Sequence, residues 1–101
     1  MTDLTLTLVQ TKLFWENPEE NRKHFGRLLD SVEQTDLIVL PEMFTTGFSM
    51  NSDHLAEEMN GESVLWMAKM AKQKNAVITG SIIIKEGGSF YNRLIWMRPD
   101  G

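Results

Sequence analysis

One carboxylate in this chain stands where the catalytic groups of α/β proteins collect. Glu42 follows four consecutive apolar residues, Leu37 to Leu40, and then Pro41. Such a short apolar run is typical of a strand buried on both faces of a parallel sheet, and proline, which has no N–H to donate, ends it. Ligands and catalytic groups gather at the carboxyl ends of strands in open α/β sheets. A carboxylate there, partly withdrawn from water beside Phe44 and Phe48, is suited to act as a general base.

The residues around Glu42 allow a plainer interpretation as well. Most carboxylates are exposed, so Glu42 could be a solvated loop residue. Phe44, Thr45 and Phe48 follow closely enough to line a substrate pocket, but the two aromatic rings could instead be core residues that hold the loop. Gly47 is expected to adopt a positive φ or to allow a close backbone approach.

The nine residues 40–48, Leu-Pro-Glu-Met-Phe-Thr-Thr-Gly-Phe, resemble the glutamate motif of the nitrilase superfamily, the carbon–nitrogen hydrolases. The sequence of this motif is similar to that of the ω-amidase-like branch, and the resemblance extends from about Leu4 to Gly101. It implies that Glu42 is the general base of a Glu-Lys-Cys catalytic set. Tyr91-Asn92-Arg93 resembles the family's stretch before the lysine, so that Asn92 would border the substrate pocket and orient the base or a backbone group. The alternative for Asn92 is an ordinary polar residue on an edge strand.

The same resemblance implies a fold and a chemistry. The fold is α/β, the N-terminal portion of a nitrilase-like four-layer α-β-β-α sandwich. The reaction is hydrolysis of a short linear amide with release of ammonia, and it needs no organic cofactor and no metal. The family commonly forms dimers, which makes a homodimer possible here.

The catalytic set is incomplete in this sequence. There is no cysteine and therefore no thiol nucleophile, and in the family the lysine and cysteine both come after the glutamate. Lys85 lies beside a predicted hairpin turn and is expected to be solvated. We therefore expect residues 1–101 to be the N-terminal part of a single carbon–nitrogen hydrolase domain, inactive as a fragment. The turn-forming Pro99-Asp100-Gly101, with no strand after it, favours the same view. The rival interpretation is a non-catalytic α/β binding module complete at 101 residues.

Composition excludes several other classes of function. Hydrophobic residues make up 42% of the chain and charged residues 24%, which argues against disorder. The net charge of -4 gives no electrostatic footprint for nucleic acid. No apolar run approaches the roughly 18 residues that span a bilayer. Without cysteine there is no disulfide framework, so the cytoplasm is the expected compartment. The two histidines are too few to predict a metal site.

A strand–helix–strand unit is predicted to position Glu42. Residues 4–10 alternate apolar and polar side chains as strands do. A helix is predicted to begin at Asn17, which is a good N-cap. Pro18 fits the first turn, and Glu20 is placed to return a capping-box contact to Asn17. Phe25, Leu28, Leu29 and Val32 then form one apolar stripe. The two strands that flank this helix should be parallel.

The second half of the chain predicts a helix and a hairpin. Residues 50–60 are polar and mixed, and we expect them to be irregular. Residues 64–74 consist largely of strong helix formers, with Asn75 as the C-cap. Residues 76–85 form a long apolar strand interrupted only near Thr79-Gly80-Ser81. A turn at residues 86–89 then returns residues 90–98 antiparallel.

Overall fold

The computed structural model describes residues 3–101. The elements follow in the order β1 (Leu6–Leu8), α1 (Pro18–Asp30), β2 (Leu37–Val39), α2 (Ser52–Leu55), α3 (Glu62–Lys74), β3 (Val77–Glu86) and β4 (Ser89–Met97). Within these residues the strands form one sheet in the order β1-β2-β3-β4. The α/β prediction is confirmed.

The pairing of the strands brings the ends of β2 and β3 together. β1 and β2 are parallel, with Leu6 opposite Leu37, and β2 and β3 are parallel, with Ile38 opposite Ile78. β3 and β4 are antiparallel and join through Gly87 and Gly88, whose φ angles are 59° and 81°. The predicted βαβ unit and the predicted hairpin are both confirmed.

Helix α1 begins as its sequence predicts, with one difference. The Asn17 side chain accepts a hydrogen bond from the Glu20 N–H at 3.2 Å, and Pro18 occupies the first turn. The expected return contact from Glu20 is wrong, because the Asn17 N–H donates to the Phe14 carbonyl at 3.3 Å instead. The preceding chain thus satisfies the donor that a capping box would have satisfied.

Residues 50–60 are more ordered than their composition predicts. They contain the short helix α2, and the Glu57 N–H donates to the Ile83 carbonyl at 3.0 Å while the Glu57 carbonyl accepts from the Lys85 N–H at 2.8 Å. This bridge to β3 is a tertiary contact that local composition does not encode. The end of α3 matches its prediction, since Asn75 caps the helix in the left-handed region at φ 48°.

The core lies on one face of the sheet, under α1 and α3. Its fully buried side chains include Phe25 from α1, Met67 from α3 and Ile38, Ile78 and Ile82 from the sheet. Leu28 and Val32 of the predicted stripe are partly buried against it, so the stripe does cover the sheet.

The opposite face of the sheet, the open face, carries large apolar side chains in contact with water. Strand alternation and register place Leu6, Leu8, Leu94 and Trp96 on this face. Their exposures are 52%, 73%, 69% and 58% respectively. Residues 3–101 thus leave this face largely uncovered. No helix in that range is long and apolar enough to cross a membrane.

Candidate active site

The candidate site begins at the carboxyl end of β2, where the sequence predicted it. The Leu40 N–H donates to the Thr79 carbonyl at 2.8 Å, which keeps the chain paired to β3 up to Pro41. Glu42 comes next and is exposed. The expectation that Phe44 and Phe48 withdraw this carboxylate from water is wrong for the structure described: Phe44 packs into the core and Phe48 is itself 68% exposed.

The sheet brings Glu42 and Asn92 together across 50 residues of sequence. Asn92 pairs with Ile83 in the hairpin, which carries it beside the end of β2. Its side-chain N–H donates to Oε2 of Glu42 at 2.7 Å. A hydrogen bond from a neutral amide to a carboxylate fixes the direction in which the carboxylate points. The contact is the one that an orienting role for Asn92 requires, and the role itself stays a prediction.

A cleft of about 340 Å³ opens beside this pair on the open face. It is lined by Val39, Leu40, Glu42, Thr79, Gly80, Ser81, Asn92 and Leu94. These lining residues include no lysine or arginine. Lys85 is exposed near the hairpin turn, as predicted. The cleft therefore presents one hydrogen-bonded carboxylate to a ligand but no cation to hold a substrate carboxylate or a developing oxyanion.

The other predicted pocket residues lie in different surroundings. Phe44 is fully buried, with its ring centroid 5.6 Å from that of Phe25 and 5.7 Å from that of Trp66. Thr45 is fully buried too, and its hydroxyl has no hydrogen-bond partner among the described residues. Phe48 lines a neighbouring apolar hollow of about 200 Å³ that shares Asn92 with the cleft. Phe44 thus fits its alternative as a core residue, while the pocket roles of Thr45 and Phe48 stay predictions.

Two residues that the sequence did not single out as site residues hold the turn that carries Glu42. The Met43 N–H donates to the Ser81 hydroxyl at 2.8 Å, and the Phe44 N–H donates to the Ser81 carbonyl at 3.3 Å. From the other side, the fully buried Asn21 of α1 donates to the Thr45 carbonyl at 2.7 Å.

Each of these residues had a signal in the sequence. Asn21 lies four positions before Phe25, so it is a polar residue on the same face of the helix as the apolar stripe. Ser81 belongs to Thr79-Gly80-Ser81, the short interruption of a long apolar strand. A buried polar side chain needs a hydrogen-bond partner, so a polar residue at a position expected to be buried predicts a structural contact.

Gly47 ends the turn in the way its residue type predicts. Its φ is 78°, and a Cβ built on it would lie 2.9 Å from Cε3 of Trp15. Both the positive φ and the close approach that were offered as alternatives are therefore present. The loop after Glu42 lies against the loop before α1, and this fixes its path.

Comparisons with known proteins agree with this geometry. A family model described as carbon–nitrogen hydrolase matches residues 5–101. The chain is 41% identical over 101 residues to the omega-amidase YafV of Yersinia enterocolitica, covering 100% of this chain and 39% of that protein. It is 29% identical over 100 residues to the 2-oxoglutaramate amidase of Bacillus subtilis (strain 168), covering 96% of this chain and 39% of that protein.

A solved structure has the same fold. The crystal structure of XC1258 from Xanthomonas campestris, a CN-hydrolase superfamily protein with an arsenic adduct in the active site, superimposes with a TM-score of 0.94 at 42% identity. The match covers 99% of this chain and 38% of that one. The chain thus spans 39% of the length of the two curated relatives. Since the family model covers almost every residue, the chain belongs to the carbon–nitrogen hydrolase family, as the motif around Glu42 predicted.

Proposed function

We propose that the complete protein carrying this chain hydrolyses the C–N bond of a short linear amide, in the manner of an ω-amidase, and that Glu42 is its general base. The observation that carries the proposal is the Glu42 carboxylate at the end of β2, hydrogen-bonded to Asn92 at 2.7 Å and open to a cleft. The similarity to proteins named omega-amidase and 2-oxoglutaramate amidase supports an ω-amide as the substrate class.

The mechanism assigns one oxygen of Glu42 to orientation and the other to proton transfer. Among the described residues Asn92 engages Oε2 alone, which leaves Oε1 to accept a proton. Glu42 takes the proton of a cysteine thiol supplied by later sequence, and the thiolate attacks the amide carbon. The proton passes to the departing nitrogen, ammonia leaves and a thioester remains. Glu42 then deprotonates the water that hydrolyses the thioester, and the thiol is regenerated.

The open face of the sheet supports the proposal that residues 1–101 are the N-terminal part of a single hydrolase domain. In a four-layer sandwich a second sheet would cover Leu6, Leu8, Leu94 and Trp96. Four large exposed apolar side chains on one face of a sheet are unusual on a monomer and favour a surface that packs against something else. A binding module complete at 101 residues would keep this face in water unless its partner covered it.

The remaining parts of the proposal follow the resemblance. The substrate is a small amide, and the reaction proceeds with neither an organic cofactor nor a metal. The complete protein acts in the cytoplasm, with a homodimer as its possible assembly. Neither nucleic acid nor a membrane is a partner in this proposal.

The test begins with the coding sequence beyond codon 101. A continuing frame with a lysine and then a cysteine after an apolar strand would supply the missing groups. The product should release ammonia from ω-amides of dicarboxylates or 2-oxo acids, whereas the 101-residue chain should release none. Glu42→Gln should abolish release while leaving the circular dichroism spectrum unchanged. The matched control is Glu33→Gln, since Glu33 is also exposed but precedes β2, whereas Glu42 follows it, and Glu33 does not line the cleft. A Glu42→Gln variant with near-normal activity would refute the base assignment, and a stop after codon 101 would favour the binding module.

A further inference from the structure

Up to Ile84, strand β3 is apolar except for one polar segment, Thr79-Gly80-Ser81, which the mechanism above does not use. Its flanking residues Ile78, Ile82 and Ile84 are fully buried, and Thr79 and Ser81 are buried as well. Polar side chains in a buried strand are unfavourable unless they make hydrogen bonds. The Thr79 hydroxyl donates to the Ile95 carbonyl of β4 at 2.7 Å. The Ser81 hydroxyl finds its partner in the turn that bears Glu42.

The three residues contact that turn on both sides of Glu42. Before it, the Leu40 N–H donates to the Thr79 carbonyl at 2.8 Å. After it, the Met43 N–H donates to the Ser81 hydroxyl at 2.8 Å, and the Phe44 N–H donates to the Ser81 carbonyl at 3.3 Å. The backbone of Glu42 is thus held between two anchor points on one strand.

Gly80 allows the turn to lie close to the strand. A Cβ at this position would be 3.0 Å from Cδ1 of Phe44 and 3.1 Å from Cβ of Leu40. These distances are shorter than ordinary van der Waals contact, so a side chain here would push the turn outward. The close approach is what brings the Met43 N–H within reach of the Ser81 hydroxyl.

The backbone of Met43 shows that the turn needs this support. Its φ is 49°, in the left-handed region that costs a residue with a Cβ roughly 1 to 2 kcal/mol. Such a conformation persists only where the surroundings enforce it, and it occurs often at functional sites. Met43 is buried, so its N–H would have no partner without the Ser81 hydroxyl.

We propose that Ser81 is a positioning residue for the general base. Its hydroxyl holds the Met43 N–H, which fixes where the Glu42 side chain leaves the backbone, while Asn92 fixes where its carboxylate ends. Both supports belong to the β3–β4 hairpin, in which Ser81 pairs with Leu94 and Ile83 pairs with Asn92. The hairpin therefore sets both ends of the Glu42 side chain. This inference rests on the proposed role of Glu42.

The experiment removes the Ser81 hydroxyl in the complete protein. Ser81→Ala should lower kcat for the amide by roughly 10- to 100-fold, because small displacements of a catalytic group are costly, while KM changes little. Ser81→Cys keeps the shape of the side chain with a somewhat larger atom and offers a poor acceptor, so it should show the same loss. It provides the test if the alanine variant does not fold. In either variant the Met43 amide should exchange its hydrogen faster than in wild type, a change that a purely global loss of stability would not confine to this turn.

The control removes a buried hydroxyl elsewhere. Thr35→Val deletes a hydroxyl that donates to the Thr5 carbonyl at 3.0 Å, beside β1 and away from Glu42. It should leave kcat unchanged. Near-normal kcat in both Ser81 variants, with Glu42→Gln inactive, would overturn the positioning role and leave the proposed function standing. Activity retained by Glu42→Gln would instead overturn the proposed function and the positioning role with it.

Discussion

Replacing Asn21 with leucine should remove more stability than any other polar substitution near the site. Asn21 is fully buried on α1, and its side chain makes three hydrogen bonds to backbone groups. It accepts from the Phe14 N–H at 2.8 Å and donates to the carbonyls of Phe14 and Thr45, both at 2.7 Å. These bonds join the helix to the loop before it and to the turn after Glu42. Leucine has nearly the same size and can form none of them.

The magnitude follows from these contacts. Each intramolecular hydrogen bond contributes about 1 kcal/mol net, and a buried group left without a partner costs about 1 to 3 kcal/mol. Leucine is the better helix former and offsets about 0.5 kcal/mol of this loss. We therefore expect Asn21→Leu to lower the free energy of unfolding by about 3 to 5 kcal/mol, near the upper end for single substitutions.

Urea denaturation followed by tryptophan fluorescence and circular dichroism measures this loss. The matched control is Asn60→Leu, because Asn60 is exposed and its substitution should change the free energy by no more than about 0.5 kcal/mol. Asn21→Asp adds a second check. It keeps an acceptor for the Phe14 N–H but points a carboxylate at two carbonyl oxygens, so its destabilisation should be large at neutral pH and should diminish as acid protonates it. A loss below about 1 kcal/mol for Asn21→Leu would refute the reasoning.

Three further perturbations test other parts of the structure. Gly47→Ala should cost roughly 1 to 2 kcal/mol, because alanine is disfavoured at φ 78° and its Cβ would meet Trp15, whose fluorescence should change. The hydrogen bond from Arg93 holds the pKa of Glu86 below its ordinary value. This pair therefore stabilises the fold at pH values above the ordinary carboxyl pKa, and the stabilisation is lost as the pH falls through the lowered pKa of Glu86. Glu86→Gln should therefore flatten the stability profile in acid, and an unchanged profile would contradict the pairing. Trp96→Lys on the open face should reduce the binding of an apolar dye to the 101-residue chain, and equal binding would show that the dye binds elsewhere.

The elements of this fold were predictable because each has a local cause. Asn17 and Pro18 begin α1, Asn75 ends α3, and Gly87-Gly88 closes the hairpin, all through preferences that belong to a few neighbouring residues. The predicted first strand was too long: residues 4–10 were expected, and only Leu6–Leu8 pair as a strand. This strand lies at the edge of the sheet, and β2 is its one partner among the described strands. Because β2 is only three residues long, the paired part of β1 is equally short.

The contacts within the site were predictable only in part. The two-residue turn at Gly87-Gly88 sets the register of the hairpin, and that register places Asn92 opposite Ile83. The contact between Asn92 and Glu42 therefore depends on a register that the turn sequence sets. The roles of Asn21 and Ser81 were not accessible in the same way, because their partners are backbone groups of the turn. A backbone N–H or carbonyl is present at almost every residue, so a pattern of residue types does not reveal which one a buried side chain will meet.

The exposure of Glu42 and the exposure of the open face have the same physical cause. The residues that line the cleft with Glu42, among them Ser81, Asn92 and Leu94, lie on the face that also presents Trp96 to water. A layer that covered this face would bury Leu94 and Trp96, and it would withdraw the Glu42 carboxylate from water in the same step. Residues 3–101 leave Glu42 exposed, so under the proposed function a desolvated base would require such a covering layer. We therefore expect, under the proposed function, that a layer burying Leu94 and Trp96 would also enclose the site around Glu42.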